Sequence, residues 1–160
     1  MHALIVSGGN LDMEFARAYI SKYNFGCRIA ADRGMAFFHA QKIVPDFIVG
    51  DFDSASPEIL QYFENLQERQ KPTILQFQPE KDETDTELAI RMAVREGADV
   101  IHLLGATGSR VDHMLGNLHL LGAAMEQGAE CRMVDGNNRI RMIRQGMTLK
   151  REEQYGKYVS

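Results

Sequence analysis

Cysteine is scarce, basic charge is in deficit and long apolar runs are missing, and each shortage removes a class of protein. The two cysteines, Cys27 and Cys131, each open an apolar run of strand type and share no metal-ligand spacing. That argues against a zinc site and for reduced thiols in a core. Lysine and arginine number 18 against 22 aspartates and glutamates, a formal net charge of −4 with a pI near 5.7. Binders of nucleic-acid polymers ordinarily present a basic face, so no such partner is expected, although a local basic patch stays open. No stretch approaches the ~18 continuous apolar residues of a membrane span. Met1-His2-Ala3-Leu4-Ile5-Val6 also runs straight into an apolar segment, without a charged leader or a small-residue cleavage site. The expectation is a soluble cytoplasmic chain with no membrane partner.

What is present is a regular alternation. With 160 residues, 44% hydrophobic, the chain can bury roughly 68–70% of its unfolded surface in one core. Short apolar runs at Ala3–Ser7, Arg28–Ala31, Phe47–Val49, Ile74–Phe77, Val100–Leu104 and Cys131–Val134 read as strands. Stretches of helical period lie between them, near Asp12–Tyr23, Met35–Gln41, Pro57–Arg69, Asp85–Gly97 and Asp112–Gln127. Ser56-Pro57 and Thr84-Asp85-Thr86-Glu87 carry helix-start signals, a capping hydroxyl before proline and a capping box. The pattern predicts an α/β domain with a Rossmann-like, mostly parallel sheet flanked by helices. Past Asn138 the residues alternate through Arg139–Arg144, turn at Gly146 and alternate again through Met147–Lys150, which predicts the opening of an antiparallel sheet. The division expected is residues 1–138 as the α/β domain and 139–160 as the start of an incomplete β-domain.

Each strand exits into a polar or glycine-bearing turn: Ser7-Gly8-Gly9-Asn10, Asp32-Arg33-Gly34, Asp51-Phe52-Asp53-Ser54, Lys81-Asp82, Gly105-Ala106-Thr107-Gly108 and Asp135-Gly136-Asn137. In open parallel sheets the carboxyl ends of the strands form the ligand crevice, so these turns would converge on one site. Turns are polar in any protein, and that reading suits Asp135-Gly136-Asn137 well. Asp51 and Asp53 follow an apolar strand at Gly50, and two close carboxylates raise each other's pKa unless a cation neutralises them. Magnesium takes such oxygen ligands and shares them with substrate phosphates. Asp82 and Asp85 would join them if the fold brings the loops together, though a helix's first turn favours aspartate with no functional role.

The run Leu104-Gly105-Ala106-Thr107-Gly108-Ser109-Arg110-Val111-Asp112-His113 reads as strand, glycine turn and helix. Amides at a helix N-terminus bind anions, and Arg110 can meet phosphate oxygens in a bidentate way. Neither G-x-x-x-x-G-K-[ST] nor G-x-G-x-x-G occurs there, so ordinary P-loop and dinucleotide readings lack support. His102, within Val100–Leu104, reads as a satisfied core or edge residue.

Together, Gly50-Asp51-Phe52-Asp53-Ser54, Lys81-Asp82-Glu83-Thr84-Asp85 and Gly105 to His113 closely resemble, in order and spacing, three motifs of the bacterial thiamine pyrophosphokinase family. The resemblance runs from Met1 to about Asn138. It implies transfer of a pyrophosphoryl group from ATP, the co-substrate, to the hydroxyl of thiamine, with magnesium as cofactor and a homodimer as the assembly. Asp51, Asp53, Asp82 and Asp85 match the family's acidic positions, with Asp51, Asp53 and Asp85 expected on the metal and Asp85 orienting or deprotonating the hydroxyl. Asp32 and Arg33 match its second-strand turn. Gly105, Thr107, Gly108, Ser109, Arg110, Asp112 and His113 match its nucleotide and substrate loop, where Ser109 replaces a frequent glycine. The family carries a C-terminal β-sandwich, of which this chain would hold the first strands. Two other readings stay open: a pterin pyrophosphokinase on a related fold, and a nucleotide-binding module without catalysis.

Overall fold

The computed structural model describes residues 1–78, 83–108 and 110–159. Seven strands, β1 (His2–Val6), β2 (Cys27–Ala31), β3 (Phe47–Gly50), β4 (Thr73–Gln76), β5 (Val100–Leu104), β6 (Glu130–Val134) and β7 (Arg139–Arg141), form one sheet in the order β4-β3-β2-β1-β5-β6-β7. The first six are parallel, and β7 runs antiparallel to β6 with Met133 opposite Ile140. The helices are α1 (Met13–Ile20), α2 (Met35–Ala40), α3 (Pro57–Glu64), α4 (Asp85–Arg95) and α5 (Val111–Glu126). None is long and apolar enough to cross a membrane.

Period-two burial assigns the two faces. Ala3, Ile5, Ile29, Val49, Ile101, Leu103 and Met133 pack with Ala89, Ile90 and Ala93 of α4 and Leu121 and Ala124 of α5. Leu4, Val6, Ala30, Ile48, Leu104 and Val134 pack with Ala16 and Tyr19 of α1, Phe37 and Phe38 of α2 and Phe63 of α3. Both faces are covered, so the central strands are apolar at nearly every position, as a parallel sheet requires. Full burial of side chains such as Phe38, Phe63 and Ile5 contributes roughly 1.5–3 kcal/mol each.

Helix ends follow their caps. Asp12 accepts hydrogen bonds from the Glu14 and Phe15 N–H groups, both at 3.0 Å, and Thr84 Oγ1 accepts from the Glu87 N–H at 3.2 Å. The Glu87 carboxylate turns outward to Arg91 at 2.7 Å. Ser56 departs from the capping expectation: its hydroxyl donates to Glu58 Oε2 at 3.3 Å and makes no cap bond, while Pro57 at the first turn needs none. Both α1 and α3 stop short of the periodic pattern and end in tighter turns, where the Tyr23 and Leu66 N–H groups donate to the Ile20 and Phe63 carbonyls at 3.3 and 3.4 Å while their side chains pack on the core.

The C-terminal segment also differs from the alternation that suggested it. Arg139–Arg141 adds a strand to the existing sheet, whereas Met147–Lys150 forms none and leads into a 3-10 turn at Arg151–Glu153. A strand forms where a ladder partner satisfies its backbone, and β6 offers that edge to one strand. Tyr155 then anchors the segment, its hydroxyl donating to the Asp135 carbonyl at 2.6 Å.

His102 is fully buried on the α1 face. Its Nδ1 lies 2.7 Å from the Tyr19 hydroxyl and its Nε2 lies 3.0 Å from His2 Nδ1. In the neutral ring one nitrogen donates and the other accepts, so both are satisfied by these two partners. Tyr23 and Phe25 close around the imidazole, at centroid distances of 4.4 and 5.3 Å. Burial first, and then the Arg132 charge, lower the His102 pKa from 6.5 to about 4. The unfolded chain therefore binds the extra proton between those values, and the neutral ring's contribution, full above pH 6.5, is lost as pH falls toward 4. This loss is worth up to about 3 kcal/mol. Urea unfolding at pH 7 and pH 4.5 should show a smaller acid loss in His102→Gln than in the parent chain; an equal loss contradicts the assignment.

Candidate active site

Strand order reverses at β1, whose neighbours are β2 on one side and β5 on the other. The loops after these strands diverge to opposite faces, opening a crevice at their carboxyl ends. A cavity of about 520 Å³ occupies it, a size suited to a nucleotide or comparable small molecule.

The floor is built by close backbone approach. The Ser7 N–H donates to the Leu104 carbonyl and the Gly9 N–H to the Gly105 carbonyl, both at 2.8 Å. Gly105 sits at φ 65, and a side chain there would place Cβ 2.4 Å from the Ser7 carbonyl oxygen. Glycine alone meets both conditions. Two side-chain contacts then lock the turns: the Ser7 and Thr86 hydroxyls are 2.8 Å apart, and the Asn117 side-chain amide donates to the Ala106 carbonyl at 2.9 Å.

Charge gathers at one side: Asp32 and Asp85 line the cavity, and Asp51 stands next to them outside its lining. Asp32, Asp51 and Asp85, from the ends of β2 and β3 and the start of α4, offer carboxylate oxygens within 4.8 Å of one another, all partly buried. Asp32 adopts φ 47, a left-handed conformation that aspartate tolerates better than most residues. One of its oxygens accepts the Ser54 hydroxyl, while the other, Oδ1, is buried with no hydrogen-bond partner among the described residues. Such an orphaned acceptor is costly unless a ligand meets it. Asp53 is exposed and does not join the group; its N–H donates to Asp51 Oδ1 at 3.0 Å, closing a turn that fixes the Asp51 side chain.

Among the other expected site residues, Asp32, Arg33, Gly105, Thr107 and Gly108 line the cavity, as do Arg110, Asp112 and His113. Asp82 and Ser109 lie outside the described residues. The stem of Arg33 rests against Gly8. Arg110 is exposed and bound by Asp112, with Nε–Oδ1 at 3.2 Å and Nη2–Oδ2 at 2.5 Å. That bond holds the Asp112 carboxyl down at about 2, well below the usual range. The guanidinium is thus oriented on the rim at the N-terminus of α5, where backbone N–H groups and the helix dipole favour an anion. Thr86 is the less expected member. Thr86 reads in sequence as part of a cap, and only the fold brings its hydroxyl to Ser7.

Residues 19–133 match the family model described as thiamin pyrophosphokinase, catalytic domain. The chain is similar to the thiamine pyrophosphokinase of Bacillus subtilis, 33% identical over 132 residues covering 82% of this chain and 60% of that protein. Its fold is similar to a crystal structure of thiamine pyrophosphokinase from Bacillus subtilis, with a TM-score of 0.73 and 28% identity over 88% of this chain and 63% of that one. A thiamin pyrophosphokinase from Geobacillus thermodenitrificans gives a TM-score of 0.68 and 31% identity, over 87% of this chain and 61% of that one. The chain therefore spans about 60% of the length of the Bacillus relative it matches.

Three carboxylates this close repel one another, and a divalent cation would relieve them. In a chelated solution, Asp51→Asn is expected to leave the thermal midpoint unchanged or raised. In magnesium at ten times its Kd, the parent should gain about 1.4 kcal/mol that the variant lacks. A midpoint lowered as by a core substitution, or a retained magnesium response, contradicts this.

Proposed function

Because the chain belongs to the thiamin pyrophosphokinase family and carries its catalytic domain over residues 19–133, we propose that it transfers the pyrophosphoryl group of ATP to the hydroxyl of thiamine, giving thiamine diphosphate and AMP. The observation that carries this reading is the Asp32, Asp51 and Asp85 group opening beside a glycine-floored cavity at the sheet's reversal point. These hard oxygen donors fit magnesium, and the orphaned Asp32 Oδ1 supports a cation there. When bound, magnesium would neutralise phosphate charge beside these carboxylates.

The chain's own groups supply the positioning. The Gly105–Gly108 turn and the first turn of α5 receive phosphate oxygens through close backbone approach, and Arg33 and Arg110 face them from the two rims. The triphosphate is then stretched between glycine turn and acidic wall, so that the thiamine hydroxyl meets the β-phosphorus in line. The hydroxyl oxygen bonds to that phosphorus as its bond to the α–β bridging oxygen breaks. AMP leaves with the bridging oxygen, and the hydroxyl proton passes to a carboxylate of the crevice. Catalysis of this kind rests on positioning and electrostatic stabilisation.

The same reading takes the protein as a cytoplasmic homodimer. It takes residues 1–138 as the nucleotide-binding unit and 139–160 as the start of a β-domain, a division that the greater length of the relatives supports, although β7 itself pairs with β6 in the α/β sheet.

Mass spectrometry after mixing the chain with ATP, magnesium and thiamine should find thiamine diphosphate and AMP in equal amounts. Asp51→Asn should abolish both products. ADP in place of AMP, turnover only with a hydroxymethyl pterin, or ATP binding with no AMP released would each contradict the proposal.

A further inference from the structure

Phe52 lies between Asp51 and Asp53 at φ 66, the bulkiest described residue in the left-handed region. Bulky side chains avoid that region, and where one persists the surroundings over-determine it. Here the surroundings are identifiable. The ring folds back on Gly50, where a Cβ would come within 3.2 Å of Phe52 Cε1 and 3.3 Å of Cδ1. The Asp32 Cα approaches the same point at 3.2 Å, because the pairing of Ala31 with Val49 sets the ends of β2 and β3 side by side. The bare Cα of Gly50 thus seats both the ring and the backbone of a second carboxylate residue. The ring also packs on the core face of α1, α2 and α3.

The left-handed turn has a direct consequence for Asp51. It reverses the chain, so that the Phe52 carbonyl accepts the Ala55 N–H at 3.2 Å and the Asp53 N–H returns to Asp51 Oδ1 at 3.0 Å. We propose that Phe52 is a positioning residue for the acidic group: its left-handed turn, held by the ring on Gly50, aims the Asp51 carboxylate at those of Asp32 and Asp85. The inference rests on the reading of that group as the cation site.

Manganese, as a spectroscopic stand-in for magnesium, can be titrated into the full chain with no nucleotide present. Three variants separate the contributions. Phe52→Val stays apolar but is barred by its branched Cβ from φ near 66; Phe52→Asn loses the ring yet tolerates the left-handed region. Asp51→Asn removes the carboxylate. The expected result is an affinity loss of about 10–100-fold for Phe52→Val, the range seen when a supporting residue of a metal site is removed, and a clearly smaller loss for Phe52→Asn. Both should lower the metal-free urea midpoint, since both lose the ring, and the titrations are made where circular dichroism shows each variant fully folded, so global unfolding does not enter the comparison. Equal manganese losses in Val and Asn, or none in Val, would overturn the positioning role while leaving the cation site standing. Unchanged affinity in Asp51→Asn would overturn the cation site and the positioning role with it.

Discussion

Three carboxylates held within 4.8 Å of one another are the constraint around which this molecule is arranged. Left alone, like charges this close would drive their loops apart. It persists because each member is fixed by something other than its neighbours. Asp32 is held by the backbone seat beside Gly50 and by the Ser54 hydroxyl, Asp51 by the turn through Phe52, and Asp85 by the capped first turn of α4. The negative charge is thereby concentrated at the carboxyl edge of the sheet, beside the glycine floor.

The rest of the fold supports that edge. Both faces of the sheet are covered and its central strands are apolar, so the framework beneath the crevice is rigid. The interior's one fully buried titratable ring among the described residues, His102, is satisfied by Tyr19 and His2 on the helix-covered α1 face, apart from the crevice loops. Strand reversal at β1 creates the crevice, and close approach of glycine backbones makes its floor. The aromatic cluster around His102 and the crevice loops are thus built from different residues, with Phe52 the residue that joins core packing to the acidic group.

Much of this was legible in the sequence, for local reasons. Apolar runs of strand length alternating with helical periods gave the elements, and the polar turn after each strand indicated which edge would hold the site. The residues bounding α1 and α3 were less legible, because Tyr23 and Leu66 pack on the core from tighter turns that periodicity does not encode. The same holds for Ser56, whose hydroxyl turns to Glu58. At the site, Asp51 and Asp85 were singled out by their motifs, but the meeting of both with Asp32 depends on strands β2 and β3 being neighbours. Asp53, two residues from Asp51, invites pairing by its spacing; the left-handed Phe52 instead directs its N–H to Asp51 and leaves its own carboxylate outside the group. Spacing of i and i+2 shares a face only while the chain stays extended.

Central to the proposed function is a cation held by these aspartates beside the crevice. The most direct measurement is anomalous diffraction from crystals of this chain soaked in manganese. A single strong peak bounded by the carboxylates of Asp32, Asp51 and Asp85 is the predicted result. The absence of a peak there, with manganese bound elsewhere or not at all, would contradict it.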